Sequence, residues 1–182
     1  MSNQIFLEAR KIFDKYNGSY FQMEREGEYQ KYKDFKVPQE IEATWISERI
    51  KNIVEKLYSE TSENEIASLF SQYCETVSQT IDESGLSFML KFAKENQNKF
   101  DSFTNVRIIE SILNSVSRFN TEKKQVAINE SLELLRNVDK IAFHVSDSYK
   151  VNGVFPDYVA KSKIVERVNR NIKYLENELK SL

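Results

Sequence analysis

The sequence is poor in the residues on which most metal and nucleophile chemistry depends. It has one cysteine, Cys74, and one histidine, His144, in 182 residues. A single cysteine cannot form a disulfide within the chain, which is typical of proteins from reducing compartments. One histidine excludes His-rich zinc sites and the paired Glu-x-x-His motifs of di-iron helical bundles. We therefore expect no metal and no cofactor.

A Cys74–His144 dyad is the nucleophilic arrangement that this composition still allows. Cys74 lies between Tyr73 and Val77 in a helical pattern, which favours a buried structural thiol. His144 follows Phe143 where a helix is expected to end, and an imidazole there would cap carbonyl groups. We therefore expect structural roles for both residues.

Glycine and proline are also rare, with four and two copies. So few helix breakers favour long helices over a sheet of many short strands, which would need more turn residues. The glycines are isolated from one another, which excludes a Walker A loop, a dinucleotide fingerprint and a Gly-x-Ser-x-Gly elbow. These missing motifs favour a protein that is not an enzyme.

The charge balance and the short hydrophobic runs restrict the expected partners. There are 26 basic and 28 acidic residues, for a net charge of -2. This balance argues against nucleic acid, because phosphate binding requires a basic surface. No apolar run reaches the roughly 18 residues that would span a membrane, and the first residues lack the apolar segment of a signal peptide. We therefore expect a cytoplasmic protein without a nucleic-acid or membrane partner. The abundance of Asn, Lys, Ile and Glu is typical of AT-rich bacterial genomes, which suggests a bacterial source.

The sequence does contain a strongly apolar stretch over residues 106–143. Apolar residues recur there three or four positions apart, in two series separated by Asn120-Thr121. Both series have the helical period, and the short gap allows only a reversal of the chain. The series are Val106, Ile109, Leu113 and Val116, then Ile128, Leu132, Leu135, Val138 and Ile141. We predict an antiparallel helical hairpin at the centre of the core.

The whole pattern predicts an all-α protein, an antiparallel bundle of about eight helices in one domain over residues 1–182. Its parts are aromatic-rich helices in 1–60, two helical pairs in 62–143 and a C-terminal helix in 156–182. The alternative to the bundle is a short HEAT-like solenoid of α-hairpins with covering helices at both ends, which rests on a weak echo of the apolar pattern at an offset of about 40 residues.

The last third of the chain has two further features. Asn152-Gly153 between short alternating runs predicts a small β-hairpin or an ordered loop, after which Pro156 opens the final helix. That helix has a heptad spacing at Val165, Val168, Ile172, Leu175, Leu179 and Leu182. The spacing predicts either a homodimer through residues 165–182 or a helix that lies along the bundle.

Aromatic residues are concentrated in the N-terminal third, where residues 19–35 are predicted as one helix weakened at Gly27. Tyrosine, tryptophan and arginine dominate the energetics of protein interfaces. The candidate interaction residues are Tyr20, Arg25, Tyr29, Tyr32, Trp45 and Arg49. The alternative is that these rings are buried in the core with only their hydroxyl groups exposed.

The function expected from these features is that of a cytosolic protein-interaction module, such as a regulator, an adaptor, or an immunity- or antitoxin-like binder. The alternative is a helical enzyme or a protein that binds a small ligand in a pocket near residues 144–149. It rests on the possible polar cluster of His144, Asp147 and Tyr149, in the segment without helical periodicity.

Overall fold

The structure is a computed structural model that describes residues 2–80, 82–138, 143–151 and 159–182. Of these residues 83% are helical, and none of them lies in a strand. The helices pack against one another as a bundle, which confirms the predicted all-α class.

The described residues include ten α-helices and a short 3-10 turn. The helices are α1 (Ser2–Lys15), α2 (Tyr20–Arg25), α3 (Tyr29–Asp34), α4 (Gln39–Ser59), α5 (Glu63–Thr80), α6 (Glu83–Asn96), α7 (Ser102–Ser115), α8 (Thr121–Val138), α9 (Asp147–Val151) and α10 (Lys161–Ser181). The 3-10 turn, Val116–Arg118, joins α7 to the loop before α8.

The chain divides into two compact units, Met1–Asn52 and Ile53–Leu182, called here the N-terminal and C-terminal units. The boundary falls within α4. The single domain over residues 1–182 stays a prediction.

The segment predicted as one helix over residues 19–35 forms two helices, α2 and α3, in the N-terminal unit. Ser19 begins α2, since its hydroxyl accepts the N–H of Gln22 at 3.3 Å. Gly27 has a φ of 75°, in the left-handed region that ends helices and that glycine adopts without steric cost. The prediction of one continuous helix was therefore wrong at Gly27, where the chain turns.

The core of the N-terminal unit is built around the ring of Phe13. The Trp45 ring meets it edge-on at a centroid distance of 5.3 Å, and the Tyr32 ring lies at 6.1 Å. Met23 from α2 is fully buried in the same cluster. Aromatic burial of this kind stabilises the unit and fixes α3 and the start of α4 on α1 and α2.

The predicted hairpin lies in the C-terminal unit and is formed by α7 and α8, which confirms the central interpretation of the sequence. Most of its apolar series is buried, including Val106, Ile109, Ile128 and Leu135. α5 packs on α7, and α6 packs on α8. The last position of the series, Ile141, lies outside the described residues.

The contacts of α5 with α7 and of α6 with α8 are those that two stacked helical pairs would make. A solenoid needs about three or more such repeats for stability. The helices described in the C-terminal unit supply two pairs, with α10 packed across α7 and α8. An all-α bundle is therefore the better description of this unit.

The segment predicted as a β-hairpin or an ordered loop begins with a short helix instead. Asp147–Val151 forms the short helix α9, so an extended run over residues 148–151 was wrong. The Asn152-Gly153 turn and Pro156 lie outside the described residues.

The heptad positions of α10 are used only in part within the chain, since Val165, Ile172 and Leu179 are half-buried and Leu182 is exposed. Val168 and Leu175 are buried, and the helix packs against α7 and α8. A homodimer through residues 165–182 stays a prediction. Along the described stretches, no helix combines the length and hydrophobicity needed to cross a bilayer.

A candidate interaction cleft in the N-terminal unit

A surface cleft of about 380 Å³ lies where α2, α3 and the start of α4 meet. This volume falls within the usual range for ligand pockets. We call it the tyrosine cleft. The lining residues are Tyr20, Tyr29, Tyr32, Lys33, Lys36, Val37, Gln39 and Glu42. Three of the six predicted interaction residues therefore come together at one site.

Glu42 organises the cleft by accepting two phenol hydrogen bonds. The hydroxyl of Tyr20 donates to one carboxylate oxygen, and the hydroxyl of Tyr32 donates to the other. Burial, together with the hydrogen bond to Glu42 and its negative charge, raises the pKa of both phenols above the ordinary value. Both hydroxyls therefore stay protonated donors at neutral pH.

The Tyr20 ring packs directly on the rings of both other tyrosines. The Tyr20 ring centroid lies 5.5 Å from that of Tyr29 and 6.0 Å from that of Tyr32, in tilted arrangements. Tyr32 is buried, with 4% of its surface exposed, whereas Tyr20 is 43% exposed. The cleft thus has a rigid aromatic base and one tyrosine ring that remains open to a partner.

Two lysines form the rim of the cleft. The Nζ atom of Lys33 lies 5.6 Å from the centroid of the Tyr29 ring, a cation–π contact. Lys36 is exposed, and its backbone adopts a φ of 48°, which is uncommon for a residue with a side chain. Among the described residues, neither lysine forms an ion pair with a carboxylate.

The other three predicted interaction residues lie elsewhere. Arg25 is exposed and pairs with its neighbour Glu26 at 3.2 Å. Arg49 is half-buried and donates a hydrogen bond to the side-chain oxygen of Asn17. Trp45 is only 6% exposed. Its ring packs against Phe13 in the core, which agrees with the alternative of buried rings, and a role of Trp45 in an interaction stays a prediction.

Sequence reasoning missed the residues that give the cleft its charge. An acidic residue such as Glu42 is common in the first turn of a helix, where it interacts favourably with the helix dipole. The sequence pattern therefore gave no sign that Glu42 would bind two tyrosines. Lys33, Lys36 and Gln39 look like ordinary exposed helix and loop residues. The one available signal was Val37-Pro38, which predicts a helix boundary next to the aromatic segment.

The possible polar cluster of His144, Asp147 and Tyr149 does not share one environment. Tyr149 has no exposed surface, its hydroxyl hydrogen-bonds to the Thr104 hydroxyl at 2.7 Å, and burial raises its pKa. The side chains of His144 and Asp147 are exposed. Through its backbone carbonyl, His144 accepts the N–H of Ser102 at 3.1 Å.

Asp101, which begins α7, is the residue that holds this segment in place. Its buried carboxylate accepts the N–H of Thr104 at 2.5 Å and also the N–H of Ser146. Its own N–H donates to the Glu63 carboxylate at 2.7 Å, and burial raises the pKa of Glu63. We call these residues, with Tyr149, the Asp101 network. It anchors residues 144–149 to α5 and α7.

Cys74 lies in the interior of the C-terminal unit, as predicted for a structural thiol. Burial raises its pKa well above the ordinary value, so the unreactive thiol form prevails at neutral pH. Within the described ranges, no group of three or more His, Cys, Asp and Glu side chains is placed to hold a metal ion.

The chain matches no protein-family model, no curated protein and no solved structure. Its class is therefore defined by the fold and the cleft alone: an all-α protein with a tyrosine-based, lysine-rimmed surface cleft.

Proposed function

We propose that the protein is a cytosolic, bacterial protein-interaction module that binds another protein through the tyrosine cleft. The observation that carries the proposal is the open Tyr20 ring, held by Glu42 on a base of two further tyrosines. Tyrosine in such a setting offers a large rigid contact area together with a polar group, as at interface hot spots.

Rigidity before binding supports this role. Ordering a rotamer-rich side chain at an interface costs about 0.5–1.5 kcal/mol of affinity. In the cleft, the hydrogen bonds of Tyr20 and Tyr32 to Glu42 hold both rings in place before any partner arrives. The binding of a partner would therefore lose little conformational entropy at these two positions.

The residue after Tyr20 also supports an interaction surface on α2. Phe21 is 76% exposed, so two consecutive aromatic residues of this short helix reach solvent. Exposed aromatic surface is a common mark of protein interfaces. A regulator, an adaptor or an immunity-like binder would each use such a surface. The single, buried cysteine supports the cytosol as the compartment.

The test is site-specific photo-crosslinking in cells of the source organism. A benzophenone amino acid at Phe21 should capture a distinct protein, and the same group at Tyr174, an exposed residue of α10, serves as the control. Tyr20→Ala in the Phe21 variant should abolish the crosslink without a large change in the thermal midpoint. Tyr32→Ala is unsuited to this test because Tyr32 is a core residue.

Two outcomes would overturn the proposal. One is a crosslinking pattern at Phe21 that is absent or the same as that at Tyr174. The other is a Phe21 crosslink that persists undiminished in the Tyr20→Ala variant while that variant remains folded.

A further inference from the structure

The charges around the tyrosine cleft indicate which kind of partner it suits. We infer that the cleft binds an acidic segment of a partner protein, with the ammonium groups of Lys33 and Lys36 contacting its carboxylates. This inference rests on the proposed function and adds the chemistry of the ligand.

The carboxylate at the base of the cleft keeps its negative charge, but both of its oxygens are already hydrogen-bonded within the protein. Both oxygens of Glu42 accept a phenol hydrogen bond, one from Tyr20 and one from Tyr32. Charge-assisted hydrogen bonds of this type are among the stronger ones in proteins. Glu42 therefore holds the two tyrosines in place, and its single negative charge is outnumbered by the two lysines that line the same cleft.

The positive charges at the rim are in the opposite situation. Elsewhere in the N-terminal unit, Lys15 pairs with Glu28 at 2.7 Å and Arg10 pairs with Glu48 at 2.7 Å. In the part of the chain that the structure describes, Lys33 and Lys36 have no carboxylate partner. Two unpaired ammonium groups beside one cleft favour an anionic ligand by charge complementarity.

The spacing of the rings argues against the opposite choice, a partner lysine or arginine held in an aromatic cage. A cage needs a gap between ring faces, but the Tyr20 ring packs directly on Tyr29 and Tyr32 at 5.5 and 6.0 Å. Lys33 also lies over the Tyr29 ring. An incoming cation would meet a like charge there.

The backbone of Lys36 provides further support. It follows Phe35, the residue that ends α3, and adopts the left-handed conformation that glycine usually supplies at this position. Strained backbone of this kind is concentrated at active sites and ligand-binding sites. The ammonium group of Lys36 is the feature that glycine would lack.

Nuclear magnetic resonance of the isotope-labelled full chain gives a direct test. The probes are two sets of short synthetic peptides with the same aromatic and proline content, one rich in Asp and Glu and the other rich in Lys and Arg. The acidic set should shift the amide signals of Lys33, Lys36, Val37 and Gln39. Higher salt should weaken binding, because ions screen exposed charges.

Charge-reversal variants then locate the contact. Lys33→Glu combined with Lys36→Glu should weaken binding of the acidic set by roughly tenfold or more. Lys31→Glu is the matched control, because Lys31 is an exposed lysine of α3 that does not line the cleft. This control should keep most of the wild-type affinity, and the amide spectrum of each variant reports whether it has folded.

Three results would overturn the inference: the basic set shifts the cleft signals instead, neither set shifts them, or the double reversal and Lys31→Glu weaken binding equally. If the basic set binds preferentially and Tyr20→Ala abolishes that binding, the inference of an acidic ligand is wrong. The proposed function, binding of another protein through the cleft, would still hold. The crosslinking experiment at Phe21 decides the proposed function separately.

Discussion

The tyrosine cleft and the Asp101 network use the same chemical groups in two different ways. In the cleft, the Tyr20 hydroxyl donates to Glu42 while its ring is 43% exposed. In the Asp101 network, the Tyr149 hydroxyl bonds to Thr104 and its ring, packed edge-on against Phe103, has no exposed surface. Phenols and carboxylates thus form one open arrangement and one closed arrangement in the same chain.

The difference shows that burial, and not the identity of the residues, separates a candidate binding site from a structural anchor. A closed network holds its segment in place, and the loss of one member leaves buried groups without partners. An open network leaves ring surface and rim charges available to a ligand. Changes in the closed network should therefore affect mainly stability, and changes at the cleft should affect mainly binding.

The largest expected effect on stability comes from Asp101→Ala. It removes the cap of α7 and leaves the buried N–H of Thr104 and the half-buried N–H of Ser146 without their acceptor. The expected loss is about 3 kcal/mol of unfolding free energy, measured by urea denaturation. The control is Asp82→Ala, which removes the half-buried cap of α6 and should cost about 1 kcal/mol. Equal losses in the two variants would contradict the anchoring role of Asp101.

The next prediction compares a tyrosine-to-phenylalanine substitution in the Asp101 network with the same substitution in the tyrosine cleft. Tyr149→Phe removes a hydroxyl from the buried bond with Thr104 and should cost about 1–2 kcal/mol of unfolding free energy. Tyr20→Phe removes a bond on a partly exposed ring, where water can replace it, and should cost only about 0.5 kcal/mol. Thermal denaturation of both variants checks the order. A larger loss for Tyr20→Phe would mean that the cleft is the more important structural element.

A smaller effect of opposite sign is expected at the rim. Lys36→Gly should raise the unfolding free energy by about 0.5–1 kcal/mol, because glycine adopts a φ of 48° without the strain of a side chain. Lys36→Ala is the control, since it removes the ammonium group but keeps the strained conformation. The inferred contact with an acidic ligand predicts weaker peptide binding in both variants and greater stability only in the glycine variant.

A further effect is a dependence of stability on alkaline pH. The folded state raises the pKa of Tyr20 and Tyr32 through burial and the hydrogen bond and charge of Glu42. Above about pH 10, the ordinary tyrosine pKa, the unfolded chain loses phenol protons that the folded chain retains. The unfolding free energy should therefore fall as the pH rises above about 10.

Glu42→Gln sharpens this pH measurement, because it removes the negative charge but keeps an oxygen that accepts a hydrogen bond. The alkaline decline should become shallower in this variant, as followed by urea denaturation at several pH values. Part of the decline should remain, since burial also raises the pKa of Tyr73 and Tyr149. An unchanged slope would show that Glu42 does not influence the two phenols.

Local sequence signals accounted for the helices but not for every break between them. The apolar spacing around Ile109 and Ile128 predicted the hairpin, because a repeat of three to four residues can be buried only on one face of a helix. Gly27 was interpreted as a weak point inside a helix, although it takes the left-handed conformation and ends α2. Glycine is compatible with either outcome, and long-range packing decides between them.

The candidate site was predictable only in part, for a similar reason. The concentration of Tyr20, Tyr29 and Tyr32 in one short segment marked that segment as a candidate surface, but the same argument included Trp45, which is a core residue. Nothing local separates a tyrosine at the surface from one in the interior, because both its ring and its hydroxyl group suit either place. Tyr149 shows the same ambiguity, because the sequence placed it in a possible polar cluster although its side chain is fully buried.

The sequence by itself determined the all-α class, the central hairpin, the thiol of Cys74 as a buried group and the absence of recognisable catalytic motifs. Each of these follows from residue type and from spacing within a few turns of helix. Only the tertiary structure placed Tyr20 and Tyr32 on the two oxygens of Glu42, put Lys33 and Lys36 at the rim and enclosed Tyr149 beside Asp101. These are contacts between different helices, and their energies depend on burial and distance, which local sequence does not specify.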